Sequence, residues 1–197
     1  MTNVTVKSET FPMAELANLP DDIRELLLAV QAKAGFVPNV FLKLARRPAE
    51  FRAFVAYHDA LMLKEGTLTK GDREMIVVAT SSAAHCLYCI VAHGALLRIY
   101  EKKPLVADQV AANYRKADIS DRQRAMLDFA MKVSLESHLV SEADYEPLRE
   151  QGFDNEDIWD IASIAAFFAM SNRLANSLGF MPNEEFFLMG RVPRAKK

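Results

Sequence analysis

Hydrophobic side chains recur along this chain with the three- and four-residue spacing of amphipathic helices, not with the two-residue alternation of strands. Residues 21–33 and 126–133 show this spacing clearly, each with its apolar positions on one face. Turn signals separate such segments, and no credible strand lies between them. The pattern predicts an all-α fold of about eight or nine helices without a sheet.

Cap and stop signals set the predicted limits of these helices. Thr69 with Asp72 begins a helix over residues 69–84, and a second helix covers residues 86–100. A long helix over residues 154–178 is apolar around much of its circumference, so we expect it to be buried on several sides and to offer part of its surface to a second subunit. Pro147 either kinks a helix or begins one. The other signals are Gly35, Pro48, Ser120 with Gln123, and Gly179.

The chain is long enough for one domain with a proper core. Hydrophobic residues make up 51% of it and glycines are only 7 of 197, which excludes an intrinsically disordered chain and favours helices. No low-complexity linker divides the sequence. We therefore expect an extended N-terminal segment at residues 1–20, one helical domain at residues 21–180 and a C-terminal tail at residues 181–197.

The charge balance and the apolar stretches exclude several partners. With 24 basic and 26 acidic residues the net charge is −2, and no basic stripe indicates a nucleic-acid or acidic-membrane partner. The longest apolar stretch, residues 161–170, has about half the length of a membrane span. Residues 1–11 lack the apolar core of a signal peptide. These features predict a soluble, cytoplasmic protein without a membrane partner.

The residues that carry chemistry lie between Glu74 and His93. If a helix begins near Cys86, then Cys86, Cys89 and His93 project from one face, because three and four residues separate them. His93 then lies within hydrogen-bonding reach of the Cys89 sulfur. Cys86 lies in the first turn, where the helix dipole favours a thiolate. Glu74 is on the preceding helix, and antiparallel packing of the two helices would bring its carboxylate to the same face.

Other interpretations of these residues stay open at this point. The two cysteines also suit a core position, where a free cysteine packs as a small hydrophobic group. A c-type haem is excluded because Ile90, not a histidine, follows the second cysteine. No second CxxC or HxxxH pair supplies the usual ligands of a structural zinc site. Such a site would use Cys86, Cys89, His93 and either Glu74 or His85.

A dithiol beside an imidazole suits peroxide reduction. Lowering a thiol pKa from about 8.5 by about two units raises the thiolate fraction roughly 25-fold, but nucleophilicity falls about eightfold, so the net gain is only about threefold. Most of the catalysis must then come from protonating the departing alkoxide and from holding the peroxide in line. An imidazolium beside a carboxylate is a suitable proton source, and a second cysteine condenses with the sulfenic acid.

The spacing Glu-x11-Cys-x2-Cys-x3-His resembles the active-site signature of alkylhydroperoxidase D and its relatives in the carboxymuconolactone decarboxylase superfamily. Its positions are filled by Glu74, Cys86, Cys89 and His93. The stretch Gly-Phe-Val-Pro-Asn at residues 35–39 and the pair Asn-Arg at residues 172–173 resemble the peroxidase-related branch of that family. The resemblance covers about residues 20–180.

This resemblance implies an all-helical fold that assembles into homo-oligomers such as dimers, trimers or hexamers. It implies that Cys89 attacks the peroxide, that His93 and Glu74 relay the proton, and that Cys86 is the partner sulfur exposed to a reducing dithiol. The helix-dipole argument alone would instead make Cys86 the more acidic thiol. Tyr88 stands where alkylhydroperoxidase D has a histidine, and it resembles the tyrosine of other small family members that joins the proton relay.

We therefore expect a thiol peroxidase that reduces organic hydroperoxides without metal, haem or flavin, using electrons from an external dithiol of lipoyl or thioredoxin-like type. A lactone decarboxylase of the same superfamily and a redox sensor without turnover are the alternatives. The 12 phenylalanines and 9 methionines suit a core and also a pocket for an organic hydroperoxide. His58 lies on an apolar face, as a core histidine or as support for the site, and His85 is expected to face solvent or to cap a helix.

Overall fold

The structure is a computed structural model that describes residues 10–191, and this part of the chain is all helical without a strand. Four short 3₁₀ helices lie at Leu16–Asn18, Tyr114–Lys116, Ser137–Leu139 and Glu142–Asp144. The all-α prediction is confirmed, although there is one helix more than expected, in the region predicted as a tail. The α-helices are α1 (Asp21–Ala34), α2 (Asn39–Leu44), α3 (Pro48–Met62), α4 (Lys70–Ala83), α5 (Leu87–Glu101), α6 (Val106–Asn113), α7 (Asp121–Glu136), α8 (Glu146–Glu150), α9 (Asn155–Ser177) and α10 (Glu184–Leu188).

The cap and stop signals mark where several helices begin and end. Gly35 ends α1 in the left-handed conformation with a φ of 92°, which a residue without Cβ adopts at little cost. Pro147 lies in the first turn of α8, so it begins that helix and does not kink a longer one. Reciprocal capping boxes begin α4, α7 and α9, and their residue pairs are Thr69–Asp72, Ser120–Gln123 and Asp154–Asp157.

The centre of the domain is α4, which is buried continuously from Gly71 to Ser81. It packs against α5, α6, α7 and α9, so side chains on every face of it meet another helix. Its buried charge is compensated, because Arg73 donates to the carbonyl oxygen of Leu61 at 2.7 Å and lies 3.5 Å from Asp160. A helix that is enclosed in this way holds its side chains in fixed positions.

The long helix α9 is buried on several sides, as its apolar circumference predicts. It packs against α3, α4, α5 and α7 and contributes Ile161, Ile164 and Phe168 to the core. Two large apolar side chains on it stay exposed: Trp159 is 72% exposed and Met170 is 44% exposed. The expected subunit interface on this helix stays a prediction.

The region expected as a C-terminal tail is packed onto the domain as far as residue 191. Asn183 accepts a hydrogen bond from the backbone N–H of Asn39 at 2.7 Å. The buried guanidinium of Arg98 on α5 donates to the carbonyl oxygens of Phe186 and Met189. These bonds hold α10 against α5, and Phe186 is buried there because its ring packs edge-on against a second phenylalanine ring.

The remaining expectations for the chain ends fall partly outside the described residues. Residues 1–9 of the predicted extended segment and residues 192–197 of the predicted tail are not among them. Residues 10–20 contain one 3₁₀ turn at Leu16–Asn18. Within residues 10–191, no helix combines the length and the apolar character needed to cross a bilayer.

Candidate active site

A small and largely apolar cavity of about 150 Å³ lies where α2, α3, α5, α9 and α10 meet. A cavity of this volume accepts a molecule of the size of benzene. The polar side chains that line it are His58, Tyr88, Cys89, His93 and Ser171. The apolar ones are Pro38, Val40, Phe41, Phe54, Ala92, Leu96, Phe168 and Phe186. The arrangement suits a small organic molecule whose reactive group meets a few polar groups.

The turn between α4 and α5 places Cys86 at the start of α5. The backbone N–H groups of His85 and Cys86 donate to the carbonyl oxygens of Ser82 and Ser81, both at 3.0 Å, which is a Schellman motif. His85 takes the left-handed position of that motif with a φ of 52°, and its side chain faces solvent, as expected. Cys86 is therefore the N-cap residue of α5, one position before the predicted first turn.

Cys86 is the more acidic of the two free thiols. Its sulfur accepts hydrogen bonds from the thiol of Cys89 and, at 3.4 Å, from the Cys89 backbone N–H, and the charge of His93 adds to them. These contacts lower the pKa of Cys86 to about 7, although burial acts in the opposite direction. The bond to Cys86 and burial both raise the pKa of Cys89. The two thiols titrate as a pair whose negative charge rests first on Cys86, as the helix-dipole argument predicts.

The two sulfurs differ in access. Cys89 lines the cavity, whereas Cys86 is fully buried behind it. The resemblance implied a Cys86 that is exposed to the reductant, and the structure differs because the end of α9 covers the α4–α5 turn. Asn176 donates to the carbonyl oxygen of Ala84 at 2.9 Å, and Ala175 shares a buried cluster with Cys86. Cys89 is thus the sulfur that a molecule in the cavity meets.

Two hydroxyl groups lie near the Cys89 sulfur, Ser81 on α4 and Ser171 on α9. Each can donate to this sulfur, which lowers the pKa of Cys89 and offsets part of the rise. Among the described residues no hydrogen bond joins His93 to this sulfur, so that expectation is wrong. The imidazole instead turns towards a carboxylate.

That carboxylate belongs to Glu74, which α4 brings to the same face as the thiols, as antiparallel packing predicts. Nδ1 of His93 lies 2.6 Å from Oε2 of Glu74, and the two side chains are 13% and 7% exposed. A carboxylate at Nδ1 holds a proton there, so Nε2 is the ring nitrogen left to exchange a proton with another molecule. Phe168 packs edge-on against the imidazole at 4.7 Å and holds it in the cavity wall.

Tyr88, between the two cysteines, is buried beside the same cavity. Its hydroxyl oxygen accepts the backbone N–H of Val40 at 3.4 Å, and its ring packs edge-on against Phe186. Burial raises the pKa of Tyr88, and the nearby cysteines add to this rise. The side chain is therefore a neutral phenol at physiological pH that ties α2 and α10 to the site.

His58 lines the cavity from α3, so it is not a fully buried core residue. Its Nδ1 lies 2.9 Å from Oδ1 of Asp59, the next residue in the chain. The imidazole packs against Phe167 and Phe168 with ring centroids 6.2 and 6.4 Å apart. The structure thus brings a second histidine, which is itself paired with a carboxylate, to the wall of this cavity.

The residues considered as zinc ligands lie near one another without forming a ligand set. In residues 10–191, no group of three or more His, Cys, Asp and Glu side chains is arranged to hold a metal ion. Glu74 and His93 bond to each other, and His85 faces solvent.

Sequence reasoning did not find Ser81 or Ser171, and it named Asn172 only as part of the family resemblance. Asn172 accepts a hydrogen bond from the Ser81 hydroxyl at 2.8 Å. Two signals were present. Ser81 follows Glu74 by seven residues, or two helical turns, and so faces the same side. Ser171 and Asn172 are polar residues within an apolar helix, which is a sign of a buried polar contact.

The fold and the site together define a class of protein, namely an all-helical domain with a CxxC dithiol at the start of a buried helix and a histidine–glutamate pair beside it. A sequence profile of the carboxymuconolactone decarboxylase family matches residues 48–113. The alkylhydroperoxidase AhpD core of a peroxidase-related protein from Ralstonia eutropha JMP134 is 74% identical, with a TM-score of 0.92 over 93% of this chain and 97% of that one. The chain therefore belongs to the carboxymuconolactone decarboxylase family, among its alkylhydroperoxidase D-like members.

More distant structures share the same architecture. A peroxidase-related protein from Silicibacter sp. TM1040 is 44% identical, with a TM-score of 0.87 over 92% of this chain and 94% of that one. The debrominase Bmp8, solved in complex with 2,3,4-tribromopyrrole, is 18% identical, with a TM-score of 0.76 over 89% and 92% of the two chains. At that identity the similarity is one of fold. No curated protein matches the chain.

Proposed function

We propose that this protein is a thiol-dependent peroxidase that reduces organic hydroperoxides by cycling Cys86 and Cys89 between dithiol and disulfide. One observation carries the proposal: the Cys89 thiol and the His93 imidazole line the same small apolar cavity, with the Glu74 carboxylate 2.6 Å from the ring. The similarity to proteins described as peroxidase-related supports the same class.

The first step takes place on Cys89. Transfer of its proton to the Cys86 thiolate places the negative charge of the pair on the sulfur that faces the cavity. This thiolate attacks the terminal oxygen of the hydroperoxide R–O–O–H, the O–O bond breaks, and Cys89 is oxidised to a sulfenic acid. The departing alkoxide takes a proton from the His93 imidazolium, which Glu74 stabilises, and leaves as the alcohol.

Cys86 then completes the cycle. Its thiol attacks the sulfenic acid of Cys89, the S–O bond breaks, and water leaves as the disulfide forms. An external dithiol, of lipoyl or thioredoxin-like type, reduces this disulfide by exchange and is itself oxidised to a disulfide. Because the leaving thiol with the lower pKa departs faster, the dithiol attacks Cys89 and releases Cys86.

Two cysteine variants test this cycle. Cys89→Ser is expected to abolish peroxide consumption, and unchanged turnover in that variant would refute the proposal. Cys86→Ser is expected to consume about one peroxide per subunit and to leave a Cys89 sulfenic acid that dimedone traps. Mass analysis of the peptide that contains both cysteines, with and without peroxide, identifies the product on each sulfur.

Two further measurements separate the alternatives. A lactone decarboxylase has no redox pair, so its activity would survive alkylation of both thiols, whereas the proposed peroxidase would lose its activity. A redox sensor would oxidise once, whereas the peroxidase turns over many times when dihydrolipoamide or reduced thioredoxin is in excess.

We also propose that the protein forms a homo-oligomer through the exposed face of α9 and the neighbouring α3. Trp159, Ala166 and Met170 follow one another along one stripe of α9 at helical spacing, and Tyr57 on α3 is 51% exposed. Trp159→Arg is expected to dissociate the oligomer in light-scattering measurements, while Trp159→Phe keeps it. A monomeric wild-type protein would contradict the proposal.

A further inference from the structure

Asn172 on α9 is buried to within 1% of its surface and carries an unpaired donor. Its Oδ1 accepts the hydrogen bond from Ser81, but its Nδ2 has no partner, and no other side-chain nitrogen or oxygen buried in residues 10–191 is left without one. An unsatisfied buried amide costs free energy and calls for an explanation. Its Asn-Arg pair contributes to the family resemblance, yet the proposed cycle uses neither residue.

The explanation lies in the hydroxyl group of Ser81, which donates to Oδ1 of Asn172 at 2.8 Å and is also close enough to the Cys89 sulfur to lower its pKa. A serine hydroxyl has a single hydrogen and can donate to one of them at a time. In the arrangement described, it donates to Asn172. That arrangement suits a protonated Cys89, because a thiol needs no donor whereas a thiolate does.

We propose that Asn172 is a positioning residue that directs the Ser81 hydroxyl hydrogen to Cys89 when this sulfur carries the negative charge. A half-turn of the amide about the Cβ–Cγ bond exchanges Oδ1 and Nδ2, which have nearly the same shape. Nδ2 then donates to the Ser81 oxygen, and the Ser81 hydrogen is free for the thiolate. Ser171 supplies a second hydroxyl from α9. Nδ2 of Asn172, which has no partner before the half-turn, is therefore the group that makes the hydrogen bond after it.

These hydroxyls matter because Cys86 carries the negative charge of the thiol pair first, whereas Cys89 is the sulfur that must attack in the cavity. Charge-assisted hydrogen bonds to one sulfur shift the shared charge towards it. The titratable groups that face the pair come from α3, α4 and α5, and they are His58, Glu74, Tyr88 and His93. On the α9 side the neutral Ser171 lies near the sulfur, and the neutral Asn172 is connected to it only through Ser81. This inference rests on the proposed function, because the attack on the peroxide is the step that requires a negative charge on Cys89.

The test measures the acidity of Cys89 itself and needs no peroxide. In a Cys86→Ala background one thiol remains, and its rate of alkylation by iodoacetamide is followed against pH. Ser81→Ala is expected to move the midpoint up by about one unit and to slow alkylation at pH 7 about tenfold. Asn172→Asp keeps the shape of the side chain, but its carboxylate only accepts and so retains the Ser81 hydrogen, with a rise of similar size.

The double variant separates the hydrogen-bond relay from the added charge. With Ser81→Ala in place, Asn172→Asp is expected to add much less than it does alone, because the two residues act in series. With Ser171→Ala in place, Asn172→Asp is expected to shift the midpoint by as much as it does alone. Ser82→Ala is the matched control: this hydroxyl is next in the chain but donates to the carbonyl oxygen of Ala111, so the midpoint stays unchanged.

Two outcomes would overturn the inference. One is an unchanged pH midpoint of Cys89 alkylation in Ser81→Ala. The other is a shift of this midpoint by Asn172→Asp that has the same size with and without the Ser81 hydroxyl. Far-UV circular dichroism checks folding, and if Asn172→Asp does not fold, the Ser81→Ala midpoint alone decides. A wild-type protein that consumes no peroxide would reject the proposed function and leave these midpoints as a separate result.

Discussion

Two histidines, each paired with a carboxylate, line the same cavity and pack against the same ring of Phe168, yet the two pairs are built differently. Glu74 reaches His93 from another helix at 2.6 Å, and the two side chains are 7% and 13% exposed. Asp59 directly follows His58 in the chain at 2.9 Å, and the two side chains are 49% and 29% exposed. Similar chemical groups at similar distances therefore have very different surroundings.

The difference shows which pair is suited to proton transfer. Water screens an exposed pair, and its side chains are free to rearrange, so an interaction of this kind contributes little. A buried pair is screened less, and packing fixes its orientation. We therefore assign the proton relay to His93 and Glu74, and we expect His58 to contribute mainly to the shape of the cavity wall.

The largest effect is expected from His93→Gln. Loss of the proton donor should lower kcat/KM for a small hydroperoxide by about 1,000-fold, within the range of general acid catalysis. Peroxide consumption at saturating dithiol measures this effect. A smaller loss in His93→Gln than in His58→Gln would reverse the assignment of the two pairs.

Glu74→Gln should have the next largest effect, a loss of about 10- to 100-fold in the same assay. The amide still accepts a hydrogen bond from Nδ1, but it no longer stabilises the imidazolium with a negative charge. Asp59→Asn is the matched control on the exposed pair. Equal losses in the two variants would mean that burial does not distinguish the pairs.

The pH profile of thiolate formation should change by a smaller factor and in a defined direction. Because the pKa of Cys86 is lowered to about 7, the thiolate absorbance should rise about tenfold between about pH 6 and pH 8 and then level off. An unperturbed thiol would still be rising there. His93→Gln should move the midpoint to higher pH, since the positive charge of His93 favours the thiolate, and His58→Gln should leave it in place.

The smallest effects are expected on the exposed pair. His58→Gln should change kcat/KM by no more than about threefold, and Asp59→Asn by no more than about twofold, because solvent screens their interaction. Thermal unfolding checks that both variants remain folded. A tenfold loss in Asp59→Asn would show that this pair takes part in the reaction.

Much of the fold was predictable because helix limits depend on residues close in sequence. Thr69, Ser120 and Asp154 begin helices through bonds to their own first turns, and Gly35 ends α1 through its own backbone freedom. The short α10 was missed, because five residues carry too little periodicity. Its position depends on Arg98, which is far away in the chain.

The candidate site also has features that depend on residues close in sequence and features that depend on distant ones. The common face of Cys86, Cys89 and His93 follows from their spacing on one helix, and a family signature drew attention to Glu74. The hydroxyls of Ser81 and Ser171 gave no comparable signal, because serines are frequent and only packing shows which of them meet a sulfur. Access to Cys86 depended on α9, so the expected exposure was wrong.

The helices and the one-sided spacing of the thiols and the imidazole can be read from the amino-acid sequence alone, since each depends on a residue type or on neighbours within a few positions. Three features follow only from the packing of the helices: Glu74 bonds to His93, Cys89 faces the cavity while Cys86 lies behind it, and Ser81 bonds to Asn172. Those contacts join side chains on different helices. They exist because packing brings distant parts of the chain to a few ångströms from each other and removes the water between them.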